Sequence, residues 1–303
     1  MLNEPRVFLS ERFIELNHTT INPVVIICHH LKPYLVSNLE DANVVFYNKY
    51  PIDKNNINGF KNKYKGKKRF CIWVTDETKG IDTPPGMFIY RTSGYKSTSD
   101  KGEDGFGWCS PIFFKETFYN ITNKPFDPLY NDLSVGFCGA GTKTCQKDRL
   151  ACLEHFRESG IKCDYIRRSK FIRGFSQQEQ ETFRKVDFIE NMKNNIFSIA
   201  PRGGGNWSLR FYEAMAYGRI PVLINTDVIL PFTELIDWKN VVVFADTNEE
   251  LEKIVREWYN NGEDFIKEKQ RMCRWVWDKH LSMEGFVETA LNNIMNSHTE
   301  VDK

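Results

Sequence analysis

The stretch Ala200-Pro201-Arg202-Gly203-Gly204-Gly205-Asn206-Trp207-Ser208 offers the clearest chemistry in the chain. An apolar run at residues 195–200 precedes it and a helical pattern starts near residue 208, so three glycines lie between a strand end and a helix start. Such a turn exposes backbone N–H groups at the positive end of a helix dipole, a setting suited to phosphate. Gly203 and Gly204 let a diphosphate approach the backbone closely, and Ser208 stands at the helix start. Arg202 and Arg210 can each add a two-pronged charge contact. Glu213, one turn into the helix, is placed to accept hydrogen bonds from sugar or ribose hydroxyls. Without a ligand the same residues are a glycine-rich turn beside a surface Arg–Glu pair at i, i+3.

A second anion turn is Gly139-Ala140-Gly141, with Arg149 further on. Residues 136–144 approach a P-loop, but that pattern needs Gly and Lys adjacent, and Thr142 separates Gly141 from Lys143. Both turns end strands of one expected sheet, so both fit its carboxyl edge.

The elements that must position these residues follow an α/β rhythm. Apolar runs at residues 24–28, 43–47, 69–74 and 87–90 read as buried parallel strands in the first half. From residue 134, strands at 134–138, 163–166, 195–200, 220–224 and 241–244 alternate with helices at 146–159, 178–193 and 208–218. Three closing helices follow at 248–260, 264–279 and 284–296. This alternation predicts parallel sheets covered by helices on both faces. The proline-bearing segment 108–133 is the expected linker, giving domains at 1–133 and 134–303.

Composition narrows the classes. With 41 Lys+Arg against 40 Asp+Glu, the 303-residue chain lacks the basic excess of a nucleic-acid binder. No apolar run reaches the roughly 18 residues of a membrane span. The first six residues lack the basic and apolar regions of a signal peptide. The 8 cysteines form no CxxC pair and match no common zinc spacing, which suits free thiols in a reducing compartment.

The run at residues 195–203, then Trp207-Ser208, Arg210-Phe211-Tyr212-Glu213-Ala214, Gly218, Ile220-Pro221-Val222, Leu230-Pro231-Phe232 and Ile236-Asp237-Trp238, resembles the exostosin signature. The resemblance is specific over residues 134–260 and only topological before them. It implies two Rossmann-like domains facing across a cleft, the GT-B type, with a nucleotide-sugar donor on the C-terminal half and an acceptor glycan on the N-terminal half. By this resemblance Glu213 holds the donor ribose, while Arg202 and Arg210 take the diphosphate. The glycine turn at Gly139 and the arginine at 149 also match the family pattern. The implied reaction is inverting transfer of xylose, glucuronic acid, galactose or arabinose from a UDP-sugar to a glycan hydroxyl.

No Asp-x-Asp occurs in the chain, so the helix dipole and arginines are expected to neutralise the leaving diphosphate without a metal or other cofactor. Direct displacement needs a general base on the acceptor hydroxyl. Asp76 and Glu77 follow the run at 69–74, and His29 and His30 follow the run at 24–28; Asp76 is favoured, with Glu77 and His30 next. Each also reads as a strand-end turn residue. Trp73, Tyr90, Tyr95, Phe106, Trp108, Trp207 and Trp238 are the rings available to stack on sugar or uracil, although most aromatics are core. The sequon at Asn206 lies inside the donor motif, where a glycan would block the site, so a cytoplasmic setting is expected over a trimmed Golgi enzyme. The competing reading is a non-catalytic module that binds nucleotide-sugar or glycan. A phosphotransferase using residues 136–144 would instead require ATP and magnesium.

Overall fold

Two parallel sheets carry the chain in a computed structural model that describes residues 4–10, 27, 29–47, 63–73, 87–91, 93–98, 126–141, 147–170 and 174–297. The first sheet is β1 (Val7–Leu9), β2 (Val44–Tyr47), β3 (Lys68–Trp73) and β4 (Met87–Arg91), in that spatial order. Val44, Val45, Phe46, Phe70, Phe88 and Ile89 are buried, and the Phe46 and Phe70 rings stack at 4.7 Å.

The strand expected at residues 24–28 is not found where it can be checked. Ile27 and residues 29–31 are helical, and Val7–Leu9 takes the place beside β2. A short apolar run cannot be told from a buried helix segment by periodicity alone. Here Ile27 and Leu31, four apart, are both buried, as one face of a helix would be.

The second sheet holds β5 (Ser134–Ala140), β6 (Lys162–Arg168), β7 (Phe197–Ile199), β8 (Ile220–Ile224) and β9 (Val243–Ala245). Its order is β6-β5-β7-β8-β9, parallel throughout. The helices are α1 (Lys147–Glu158), α2 (Gln177–Thr182), α3 (Phe188–Asn194), α4 (Leu209–Ala216), α5 (Trp238–Val241), α6 (Asn248–Asn260), α7 (Glu263–Val276) and α8 (Met283–Asn296). A π turn, Phe183–Asp187, joins α2 to α3. Local signals set several ends: Ser176 and Glu179 form a capping box at α2, and Thr247 caps α6.

Chain contacts divide the molecule into a first unit, Met1–Phe113 with Ile229–Phe232 and Lys279–Lys303, and a second unit, Phe114–Val228 with Thr233–Asp278. The expected division at residue 133 differs from this at both ends. Leu129 N–H donates to Gln270 Oε1 and Gln270 Nε2 donates to Leu129 O, both at 2.7 Å, tying the pre-strand segment to α7. Helix α8 instead belongs with the first sheet. Lys68 Nζ donates to Ser297 O at 2.8 Å and Met295 O at 3.0 Å, and Phe286 meets the Tyr90 ring edge-on at 5.3 Å. The sequence shows α8 only as one more amphipathic helix, and nothing local marks which sheet it covers.

Candidate functional site

The second sheet reverses its direction of winding between β5 and β7. From β5 the chain crosses through α1 to β6 on one side, and from β7 it crosses through α4 to β8 on the other. Right-handed crossovers in opposite directions place α1 and α4 on opposite faces, which opens a crevice at the carboxyl ends of β5 and β7. The two glycine-bearing turns singled out in the sequence leave the sheet at these two strand ends.

Arg149, in the first turn of α1, holds the turns together. Its Nη1 donates to Ala140 O at 2.9 Å and its Nη2 to Arg202 O at 2.7 Å. Gly203 N–H closes the second turn on Trp207 O at 2.8 Å. Asn206 braces it from behind, donating to Thr226 O at 3.0 Å and accepting from the Thr226 hydroxyl at 2.6 Å. Asn206 is 1% exposed, so this sequon's amide is not open to a bulky modification. A Cβ on Gly204 would meet nothing within 4 Å, so the chain there has open space beside it. Ser208 is the N-cap of α4 and makes no side-chain cap bond. Arg202 pairs through Nε with Asp148 at 3.1 Å.

Deeper in the crevice, Arg210 and Glu213 project from the first turns of α4. Arg210 Nη2 donates to Cys138 O, and its guanidinium lies 4.6 Å over the Phe188 ring. Glu213 is 4% exposed. Burial raises its pKa to about 7, although Arg210 and Arg168 pull it the other way. Burial lowers the Arg210 pKa while Glu213 supports its charge. The Cys138 thiol is pushed up by burial, against the pull of Arg210 and Arg168, so it is a neutral group.

Gly139, Arg149, Arg202, Gly203, Gly204, Ser208, Arg210 and Glu213 thus come together at one sheet edge. Arg149 and Glu213 are buried, whereas Arg202 and Arg210 are half-buried. Arg168, which sequence reading passed over, belongs to the same cluster; its Nη2 donates to Cys138 Sγ at 2.9 Å. The signal that reveals it is strand periodicity. β6 runs two residues past the expected end, so Arg167 and Arg168 face opposite sides of the sheet. Arg167 turns to Glu154 at 2.6 Å, and Arg168 turns to Cys138.

Of the base candidates, Asp76 and Glu77 lie outside the described residues. His30 belongs to the first unit and is helical, as are Ile27, His29 and Leu31. Its ring meets His29 edge-on at 5.6 Å, and burial lowers its pKa, with Glu284 opposing. Among the rings, Tyr90 packs on Phe286 and Trp238 packs on Phe211 at 5.3 Å, so both are core. Phe106 and Trp108 lie outside the described residues, and nothing is described of the Trp73 side chain. Among the described residues, no helix is long and apolar enough to cross a membrane.

Residues 145–258 match the Exostosin GT47 domain. Over 135 residues the chain is 27% identical to an Arabidopsis thaliana protein named "Probable beta-1,4-xylosyltransferase", covering 45% of this chain and 25% of that protein. Over 161 residues it is 35% identical to an Oryza sativa subsp. japonica protein named "Probable glucuronosyltransferase", covering 53% of this chain and 31% of that protein. These matches therefore span a third or less of the relatives' own length. The crystal structure of a glycosyltransferase from Rickettsia africae superposes with a TM-score of 0.45 at 14% identity, covering 94% of this chain and 85% of that chain.

Proposed function

With residues 145–258 matching the Exostosin GT47 domain, we propose that the chain is a GT-B-type inverting glycosyltransferase that moves a sugar from a UDP-sugar to a glycan hydroxyl. The relatives' names favour xylose or glucuronic acid over galactose or arabinose as the donated sugar. The observation that carries the reading is the convergence of both glycine turns at the β5/β7 switch point, strapped by Arg149, with half-buried Arg210 and buried Glu213 beside them. A crevice of this kind is where α/β sheets bind nucleotides.

In this reading the diphosphate lies over Gly203 and Gly204 at the start of α4, near Ser208, and Arg210 takes its charge. Glu213 accepts hydrogen bonds from the ribose hydroxyls. Gly139 lets the ligand approach the end of β5, and Arg149 positions the turns. The acceptor oxygen attacks the anomeric carbon as the bond to the diphosphate oxygen breaks. UDP leaves with the electron pair, and the acceptor proton passes to Asp76, with Glu77 or His30 as alternative bases. Transfer proceeds without a metal, since arginines and the helix dipole stabilise the departing charge. Cytoplasmic residence is part of the proposal, supported by the free thiols of Cys138, Cys152, Cys163 and Cys273 and by the buried Asn206 amide.

A panel of UDP-xylose, UDP-glucuronic acid, UDP-galactose and UDP-arabinose, scored for UDP release with and without chelator, tests the proposal. Release from at least one donor, unchanged by chelator, is the expected result. Chelator-sensitive release restored by manganese would sink metal independence. UDP binding with no release from any donor would favour the non-catalytic module.

A further inference from the structure

We infer that Arg168 is a direct contact for the anion in this crevice, forming with Arg210 the pair of guanidinium groups that receives its charge. The inference deepens the donor-site reading and rests on it only for the identity of the anion.

The two arginines arrive from different elements. Arg168 is the last residue of β6, in register with Ala140, and Arg210 lies in the first turn of α4. They converge on one residue: Arg168 reaches Cys138 Sγ at 2.9 Å, and Arg210 reaches Cys138 O. A neutral thiol is a weak acceptor for a guanidinium and offers no countercharge. Arg168 Nε and Arg210 Nη1 are buried with no hydrogen-bond partner among the described residues. Buried donors on charged groups are costly when left unmade, and two neighbouring cations add repulsion. Glu213 supports the charge of Arg210 and is itself buried, and Asp187 acts on Cys138. An oxyanion with several acceptor oxygens would satisfy both donors and balance the charge.

Aromatic rings fix both groups in place. Phe183, the first residue of the π turn, lies under the Arg168 guanidinium at 4.4 Å. Phe188 and Phe137 lie 4.6 Å and 5.7 Å from that of Arg210. Stacking of this kind leaves the donor edges of a guanidinium available. A single π turn inserted in a helix is itself a feature that recurs at functional sites. Arg149 bonds the backbone carbonyls of Ala140 and Arg202, and Arg202 pairs with Asp148.

The test measures binding of UDP, inorganic pyrophosphate and uridine to the wild-type chain and to Arg168→Met and Arg168→Lys, by calorimetry. Wild type should bind UDP and pyrophosphate. Arg168→Met should weaken both by about tenfold or more, leaving uridine unchanged, and Arg168→Lys should fall between. The ligand-free melting temperature of each variant reports folding, and if Arg168→Met does not fold, the Lys variant decides the outcome by the same comparison. Undiminished UDP binding in the folded variants overturns the role of Arg168 and leaves the donor reading standing. Pyrophosphate binding that depends on Arg168, with no UDP binding, upholds the anion contact and sinks the donor reading. Absence of both UDP and pyrophosphate binding in wild type overturns both.

Discussion

Glu213 carries the sharpest chemical consequence of the fold. Its carboxyl lies one turn from Arg210, and burial outweighs the attraction of the nearby cations, so its pKa rises to about 7. A carboxyl raised above its unfolded value favours the folded state below the unfolded pKa, near 4.5, and loses that advantage as pH climbs through about 7. The full change corresponds to roughly 3 kcal/mol. Denaturant unfolding of wild type and Glu213→Gln between pH 5 and 8 reads this directly. Wild type should lose stability relative to the variant as pH rises; parallel curves would show that Glu213 titrates normally. Removing the carboxylate should also weaken UDP binding at pH 8 more than at pH 6, because the ionised group is the stronger acceptor for hydroxyls.

At the scale of elements, α4 brings Arg210 and Glu213 to the crevice, and Gly218 ends it. Gly218 has φ of 63°, and a Cβ there would run into the Phe126 ring. The turn closes through Gly218 N–H to Met215 O at 2.9 Å and Arg219 N–H to Ala214 O at 2.8 Å. Gly218→Ala should therefore cost roughly 2–4 kcal/mol, joining left-handed strain to overpacking. Adding Phe126→Ala should recover part of the loss, the part due to the ring; full additivity of the two losses would rule out the contact. The two glycine turns, Arg210 and Glu213 were legible in the sequence, because each depends on local spacing. Arg168 was not, since its value depends on β6 running to residue 168 and on β5 lying beside it. The strand expected at residues 24–28 fails at Ile27 for the complementary reason: an apolar run states burial and leaves its geometry to tertiary context. Arg149 stood out in the sequence beside the Gly139 turn, but its two carbonyl partners, 9 and 53 residues away, are visible only once both turns are placed.

At the scale of the whole molecule, the units are not consecutive stretches of chain. Ile229–Phe232 leaves the second unit to join the first, where Phe232 lies 5.8 Å from Phe286 and 6.2 Å from Tyr90. Helix α8 then returns the chain to the first sheet, burying Phe286, Val287, Ala290, Leu291 and Ile294. Removing its partners would expose several large apolar side chains, each contributing roughly 1.5–3 kcal/mol when buried. A fragment of residues 134–303 keeps α8 without the first sheet and loses the Leu129 bonds to Gln270. A fragment of residues 126–278 keeps those bonds and the Phe126 contact with Gly218, and omits α8. The shorter fragment should unfold cooperatively, at a higher melting temperature, and bind little hydrophobic dye. The 134–303 fragment should bind dye strongly and aggregate on heating. If the 134–303 fragment proved the more stable of the two, α8 would have to fold onto the second unit, and the division of the chain drawn from its contacts would be wrong. Retention of UDP binding by the 126–278 fragment would further show that the donor crevice is built by the second sheet and its own helices.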